Sequence, residues 1–278
     1  MVTALAAHAL VHDYPGGRRA LGGIELALAP GELVCVVGPN GSGKSTLLRL
    51  CAGLLAPSAG VLELDGRPLA AFTPRARARR LAFVPQALRA LPDLDAQGFV
   101  LGGRYAHRSR WAGVLARESR ADRAVVARAL AEADAGELGA RRLDELSLGQ
   151  FQRVLVARAL AQEAPLLLFD EPTAALDPEH QVRTFLLLER LVAAGKSALI
   201  VTHELNLASR FAQRCLVLQQ GRLAAEGPPA EVLRPAILGP VFGPHLHYGR
   251  VGPEGAGGRP LIVPWPADDE APRGRLRP

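Results

Sequence analysis

The chain has 278 residues, 49% of them hydrophobic, with a formal net charge of +6 and a sequence pI near 9.9. That length holds one large domain or two modest ones with a sizeable core. No apolar run reaches the roughly 18 residues needed to cross a bilayer, and Met1-Val2-Thr3-Ala4-Leu5 has neither a basic leader nor a long apolar stretch, so no membrane span and no signal peptide are expected. The basic balance is compatible with nucleic acid, an anionic membrane surface or a genome that favours arginine. Three widely spaced cysteines, Cys35, Cys51 and Cys215, point to a reducing compartment and read as small buried hydrophobes.

Taken in order, residues 3–10 and 24–28 read as strands, with a turn at His12-Asp13-Tyr14-Pro15-Gly16-Gly17 between them. Tyr14 either packs or offers its ring to a nucleotide base. Glu32–Val37 is short, apolar and β-branched, which predicts a buried strand. It runs into Gly38-Pro39-Asn40-Gly41-Ser42-Gly43-Lys44-Ser45-Thr46, and helical spacing follows from Thr46 to Leu55. Strand, G-x-x-x-x-G-K-S and helix form the context of a phosphate-binding loop. The glycines let backbone N–H groups curl around phosphate oxygens, and the helix N-terminus adds its positive end. Lys44 is suited to the β- and γ-phosphates and the Ser45 hydroxyl to Mg²⁺, with the Thr46 hydroxyl close by. The chain contains only two lysines, Lys44 and Lys196, against many arginines. A lysine stands where a compact point charge fits and a planar fork does not.

Further strands are expected at 61–65 and 81–85, the second ending in Gln86. The run Arg75-Ala76-Arg77-Ala78-Arg79-Arg80 reads as the solvated face of a short helix. Residues 87–145 are rich in Ala, Leu and Arg, which predicts several inserted helices, one capped by Ser119 and running to about Ala135. A helix over 147–162 opens at Ser147. Leu166-Leu167-Leu168-Phe169 is a buried strand that ends in Asp170 and Glu171, at the carboxyl edge where α/β sheets bind ligands. A helix around 179–193 and a strand at 198–202 lead to His203, and 215–226 reads as a hairpin around Gln220-Gly221. From about 239 the composition shifts to Gly and Pro. Residues 247–251 and 260–264 can pair, His245 and His247 read as solvated residues, and disorder is expected beyond Trp265.

A phosphate loop needs a metal anchor and a means of activating water. Asp170 suits the first role and Glu171, as general base, the second. With these in place, Leu146-Ser147-Leu148-Gly149-Gln150 resembles the LSGGQ signature of ATP-binding cassette (ABC) ATPases. Pro85-Gln86 looks like that family's Q-loop, Ala175-Leu176-Asp177 its D-loop, Thr202-His203 its switch histidine, and Tyr14 its aromatic A-loop residue. The resemblance covers about residues 3–238, with all motifs in family order.

It implies an α/β P-loop NTPase core of the RecA-like type, with an antiparallel β subdomain and a helical insert at about 87–160. Residues 239–278 would form a C-terminal extension. It also implies two cassettes closing head-to-tail on two ATP molecules, each site pairing the phosphate loop of one copy with Ser147, Gly149 and Gln150 of the other, near Asp177. Gln86 would sense Mg²⁺ and the γ-phosphate, and His203 would hold the γ-phosphate and orient Glu171 or the water. Leu148 replaces the signature's first glycine and would strain the loop by roughly 1–3 kcal/mol if its φ were positive.

Val100–Arg108, Glu204-Leu205-Asn206-Leu207-Ala208 and the tail around Val241-Phe242-Gly243 and Arg259–Pro264 resemble importer ATPases for iron chelates, haem and vitamin B12. The resemblance thus implies a peripheral subunit at the cytoplasmic face of the inner membrane. It would work with a second copy, two integral membrane permease subunits and, indirectly, a substrate-binding protein. A soluble ABC ATPase acting on nucleic acid or ribosomes is the alternative. The single cassette and the absence of a sustained heptad run argue against it, so no nucleic-acid partner is expected. A phosphate-loop kinase would leave the signature and His203 without a reason.

Overall fold

The computed structural model describes residues 3–88, 90–107, 119–252 and 258–266. The tail expected to be disordered falls almost wholly on residues 267–278, outside the described residues.

The chain opens with β1 (Leu5–Asp13), β2 (Arg19–Leu28) and β3 (Leu33–Val37), followed by α1 (Lys44–Cys51), β4 (Ala59–Leu64) and β5 (Arg67–Pro68). Next come α2 (Pro74–Ala78), β6 (Leu81–Val84), α3 (Ala96–Leu101), α4 (Arg120–Glu132), α5 (Leu148–Ala161) and β7 (Leu166–Asp170). The last part holds α6 (Pro178–Ala193), β8 (Ser197–Val201), α7 (Leu205–Phe211), β9 (Arg214–Gln219) and β10 (Arg222–Gly227). It ends with α8 (Pro229–Val232), α9 (Pro235–Phe242), β11 (Leu246–Val251) and β12 (Arg259–Pro264).

The central sheet has the order β10-β9-β3-β8-β7-β6, parallel from β9 to β6 with β10 antiparallel at one edge. Strands β3, β7 and β8 are buried at every position. Their sequences are therefore continuous apolar runs rather than alternating ones, as a parallel sheet covered on both faces requires. The two faces feed different cores. Leu33, Cys35 and Val37 belong to the cluster formed with the later helices. Val34 and Val36 belong to the one that α1 shares with the antiparallel sheet β2-β1-β4-β5. The two-residue side-chain period of one strand thus joins both layers. Each large side chain buried in these clusters, such as Phe169, Phe185 or Leu47, contributes about 1.5–3 kcal/mol.

Three local readings change. β1 runs on through His12 and Asp13, because Ala9 at φ 46 makes a bulge that re-registers the strand against β2. α4 is capped by the Ser119 side chain but stops at Glu132, short of Ala135. Asp134 takes φ 54, its N–H donates to Ala131 O, and Ala135 N–H donates to Leu130 O; this left-handed stop closes the helix. Among its described residues, the region between β6 and α5 also holds less helix than expected. Among the described residues before α5 it contains α3, α4 and three short 3₁₀ turns.

Candidate nucleotide site

The phosphate loop joins the end of β3 to the start of α1, so the buried central strand fixes its position. Glycine is required at two of its places. At Gly38, with φ 155, a Cβ would lie 2.2 Å from Leu218 O and 2.8 Å from Ser42 Oγ. At Gly43, with φ 102, it would lie 2.7 Å from both Ala20 O and Leu21 Cδ2. Lys44 is the first residue of α1 and is buried; its Nζ donates to Gly38 O (2.8 Å) and Pro39 O (3.0 Å). The ammonium thus turns back over the loop it serves. Burial lowers its pKa, while the charges of Glu171 and Asp170 pull the other way.

Asp170, the last residue of β7, is 1% exposed and accepts a hydrogen bond from Ser45 Oγ at 2.8 Å. Burial raises its pKa, against the Ser45 hydrogen bond and the nearby Arg49 charge. A hydroxyl and a carboxylate side by side, both hard oxygen donors, fit Mg²⁺. Glu171 follows in the left-handed region at φ 51, with its N–H bound to Val201 O. Backbone strain of this kind gathers at functional sites. Gln86 Nε2 donates to Glu171 Oε2 at 2.8 Å, and His203 Nδ1 lies 3.5 Å from the same oxygen. Gln86 is therefore engaged with the carboxylate and not with the Ser45–Asp170 pair. His203 Nε2 lies 3.2 Å from Glu204 Oε1.

Tyr14 lies in the turn between β1 and β2. Its hydroxyl hydrogen-bonds with Thr46 Oγ1 at 3.1 Å, and the His12 ring meets it edge-on at 4.8 Å. One open cleft of about 710 Å³ gathers Tyr14, Asn40, Gly41, Gly43, Lys44, Ser45, Thr46, Gln86, Glu171 and His203. Four residues that the motif reading passed over also line it: Arg18, Arg19, Ala20 and Arg49. The Arg18 guanidinium lies 5.3 Å from the centre of the Tyr14 ring. A pair of arginines just after an aromatic turn residue was the only sequence signal for the first two.

Ser147, Gly149, Gln150 and Asp177 do not line this cleft. Ser147 caps α5: its Oγ accepts from Gln150 N (3.3 Å), and Gln150 Oε1 accepts from Ser147 N (3.1 Å). This reciprocal box leaves a helix N-terminus facing outward. Leu148 is the first residue of α5, is absent from the positive-φ residues and is 76% exposed. The leucine therefore brings no backbone strain. Gly149 sits close to the D-loop, where a Cβ would meet Ala175 O at 3.2 Å. Asp177 caps α6 by accepting from His180 N.

A parallel sheet with a phosphate loop on its central strand, and a Ser–Asp pair and a glutamate at its carboxyl edge, defines a P-loop nucleoside triphosphatase. A family profile described as ABC transporter matches residues 21–174. The hemin import ATP-binding protein HmuV of Pseudomonas aeruginosa is 45% identical over 253 residues, 89% of this chain and 95% of that protein. The cobalamin import ATP-binding protein BtuD of Halobacterium salinarum is 39% identical over 251 residues, 90% of this chain and 61% of that protein. Among solved structures, an inward-facing metal-chelate type ABC transporter superposes with TM-score 0.79 and 28% identity, covering 95% of this chain and 98% of that one. A dimeric ATP-binding cassette in a post-hydrolysis state, bound to ADP and Pi, superposes with TM-score 0.73 and 30% identity, covering 81% and 98%. The chain belongs to the ABC transporter family, as one of its ATP-hydrolysing cassettes.

Proposed function

We propose that the chain drives import of a metal chelate (ferric siderophore, haem or cobalamin) from the cytoplasmic face of the inner membrane. It works as a head-to-tail pair under two permease subunits fed by a substrate-binding protein. The observation that carries the substrate class is the 45% identity to a hemin import protein over 89% of the chain. The Glu204–Ala208 run and the C-terminal hairpin support it. Among the described residues, no helix is long and apolar enough to cross a membrane, so separate permease subunits would form the pathway.

The mechanism follows from the residues of the cleft. Tyr14 offers a ring for the adenine. Backbone N–H groups from Asn40 to Thr46 and the α1 N-terminus take the phosphates. Lys44 leaves the Gly38 and Pro39 carbonyls for the β- and γ-phosphate oxygens. Ser45 and Asp170, with Gln86, would hold Mg²⁺, which supplies charge neutralisation at the phosphates. Glu171 accepts the proton of the attacking water as its oxygen bonds to the γ-phosphorus and the bond to ADP breaks. His203, beside Glu171, orients that water and the γ-phosphate. The outward-facing N-terminus of α5 with Ser147 and Gly149 completes the partner copy's site, where Asp177 also comes close.

The test is uptake of labelled hemin, cobalamin and ferric siderophore in a deletion strain, complemented with wild type or Lys44→Ala. The reading expects uptake of one substrate to be lost and restored by wild type only. Unaffected uptake of all three overturns the chelate assignment.

A further inference from the structure

α7 has seven residues, starts two positions after His203 and has no side-chain cap at its first turn. A helix this short has no stability of its own, so its surroundings decide where it sits. Leu205, Ala208 and Phe211 bury one face. The other face meets β12. The Asn206 amide reads both backbone groups of one residue there: Nδ2 donates to Ile262 O at 2.9 Å, and Oδ1 accepts from Ile262 N at 2.8 Å. One turn on, Ser209 Oγ donates to Pro260 O at 2.7 Å, and Arg259 Nη1 donates to Ser209 O at 3.0 Å. The periods match, since positions 206 and 209 share a helix face and residues 260 and 262 present backbone groups on the same strand edge. The opposite edge of β12 pairs with β11, Tyr248 facing Ile262, and Ile262 is buried in the larger core. The polar face of α7 thus stands where a third strand would be.

We propose that the C-terminal hairpin sets the position of His203 against Glu171, with Asn206 as the positioning residue; this rests on the ATPase reading above. The link is short. Glu204 N donates to Thr202 Oγ1 at 3.0 Å, so the backbone from the end of β8 through His203 into α7 is held tight. The His203 side chain is itself 49% exposed, with Glu171 and Glu204 as its neighbours, and its own packing does not fix it. None of the residues in the clamp lines the nucleotide cleft. Losing the clamp therefore displaces His203, which acts on the water and the γ-phosphate during hydrolysis, and leaves the Tyr14 and phosphate-loop contacts with ATP in place.

In the purified full-length chain, Asn206→Ala lowers kcat for ATP hydrolysis about tenfold and keeps KM for ATP within about twofold. The same substitution in a His203→Ala background costs nothing further, because the two act as one unit. Amide hydrogen exchange quickens across residues 203–211 and is unchanged across 38–51. Ser209→Ala, a milder change, gives the same split at smaller size and covers the case of a poorly folded Asn206→Ala protein. An equal loss of kcat in both backgrounds, a raised KM with normal kcat, or unchanged exchange at 203–211 overturns the proposal. A wild-type chain that hydrolyses no ATP overturns the ATPase reading instead; the exchange measurement still decides whether the clamp exists.

Discussion

The side-chain amide of Gln86 donates to Glu171 Oε2 across 2.8 Å, tying the loop after edge strand β6 to the end of its neighbour β7. With His203 3.5 Å from the same oxygen, Glu171 stands between two polar partners. Glu171→Gln keeps the size and the fold but cannot accept a proton. Hydrolysis falls at least ~100-fold while ATP binding survives. Phosphate release measured beside equilibrium ATP binding checks this, and an unchanged rate removes Glu171 as the base.

Tyr14 combines a stacking face with a hydroxyl bonded to Thr46 Oγ1. The two contributions separate by substitution. Tyr14→Ala weakens ATP binding by about 1–3 kcal/mol, the range for stacking of a base on an aromatic ring. Tyr14→Phe keeps the ring and the ATP affinity and costs about 1 kcal/mol of unfolding stability, one intramolecular hydrogen bond. Titration calorimetry with ATP reads the first loss and urea unfolding the second.

The phosphate loop tolerates side chains unevenly. Gly38→Ala drives a Cβ to 2.2 Å from the backbone oxygen of Leu218 and lowers unfolding stability by about 2–4 kcal/mol. Gly41 has φ 78 but nothing within 4 Å, so Gly41→Ala costs only the conformational penalty of about 1–2 kcal/mol. Urea unfolding of the two variants gives the contrast; equal losses would contradict the close approach at Gly38.

All three cysteines are free and buried. Burial pushes the Cys51 and Cys215 thiols up to about 12 and raises Cys35 well above its usual value. Between the ordinary thiol pKa and these values the folded chain holds more protons than the unfolded one. Stability is therefore full below about pH 9 and is lost as pH rises towards about 12. At pH 8 a thiol reagent finds none of the three in the native chain and all three in denaturant; fast labelling of the native protein would refute the burial.

What the sequence disclosed was local or repetitive. Gly38 to Thr46 is contiguous, and the apolar runs of β3, β7 and β8 follow from burial on both faces. Ser119 and Ser147 could be read as helix caps because a cap is satisfied within three residues. What escaped depends on chain paths that meet only in the fold. Arg18 and Arg49 reach the cleft from β2 and α1 sides that no motif spans. The stop of α4 lies in the left-handed φ of Asp134, a conformation its residue type permits without announcing. The two hydrogen bonds of Asn206 reach a strand 56 residues away, although both segments had stood out as motifs. The sign of φ at Leu148 was settled only by the Ser147–Gln150 cap that starts the helix there.

The scarcity of lysine has a chemical consequence. Lys44 and Lys196 are the only side-chain amines in the chain. Lys196 Nζ is held by Ala164 O at 2.8 Å, and burial lowers the pKa of both ammonium groups. An acylating reagent therefore has two side-chain addresses, one in the phosphate loop and one remote from it. Bound nucleotide covers the first and leaves the second unchanged, so the ratio of the two acylated peptides in a mass spectrum becomes an internal gauge of site occupancy that needs no labelled nucleotide.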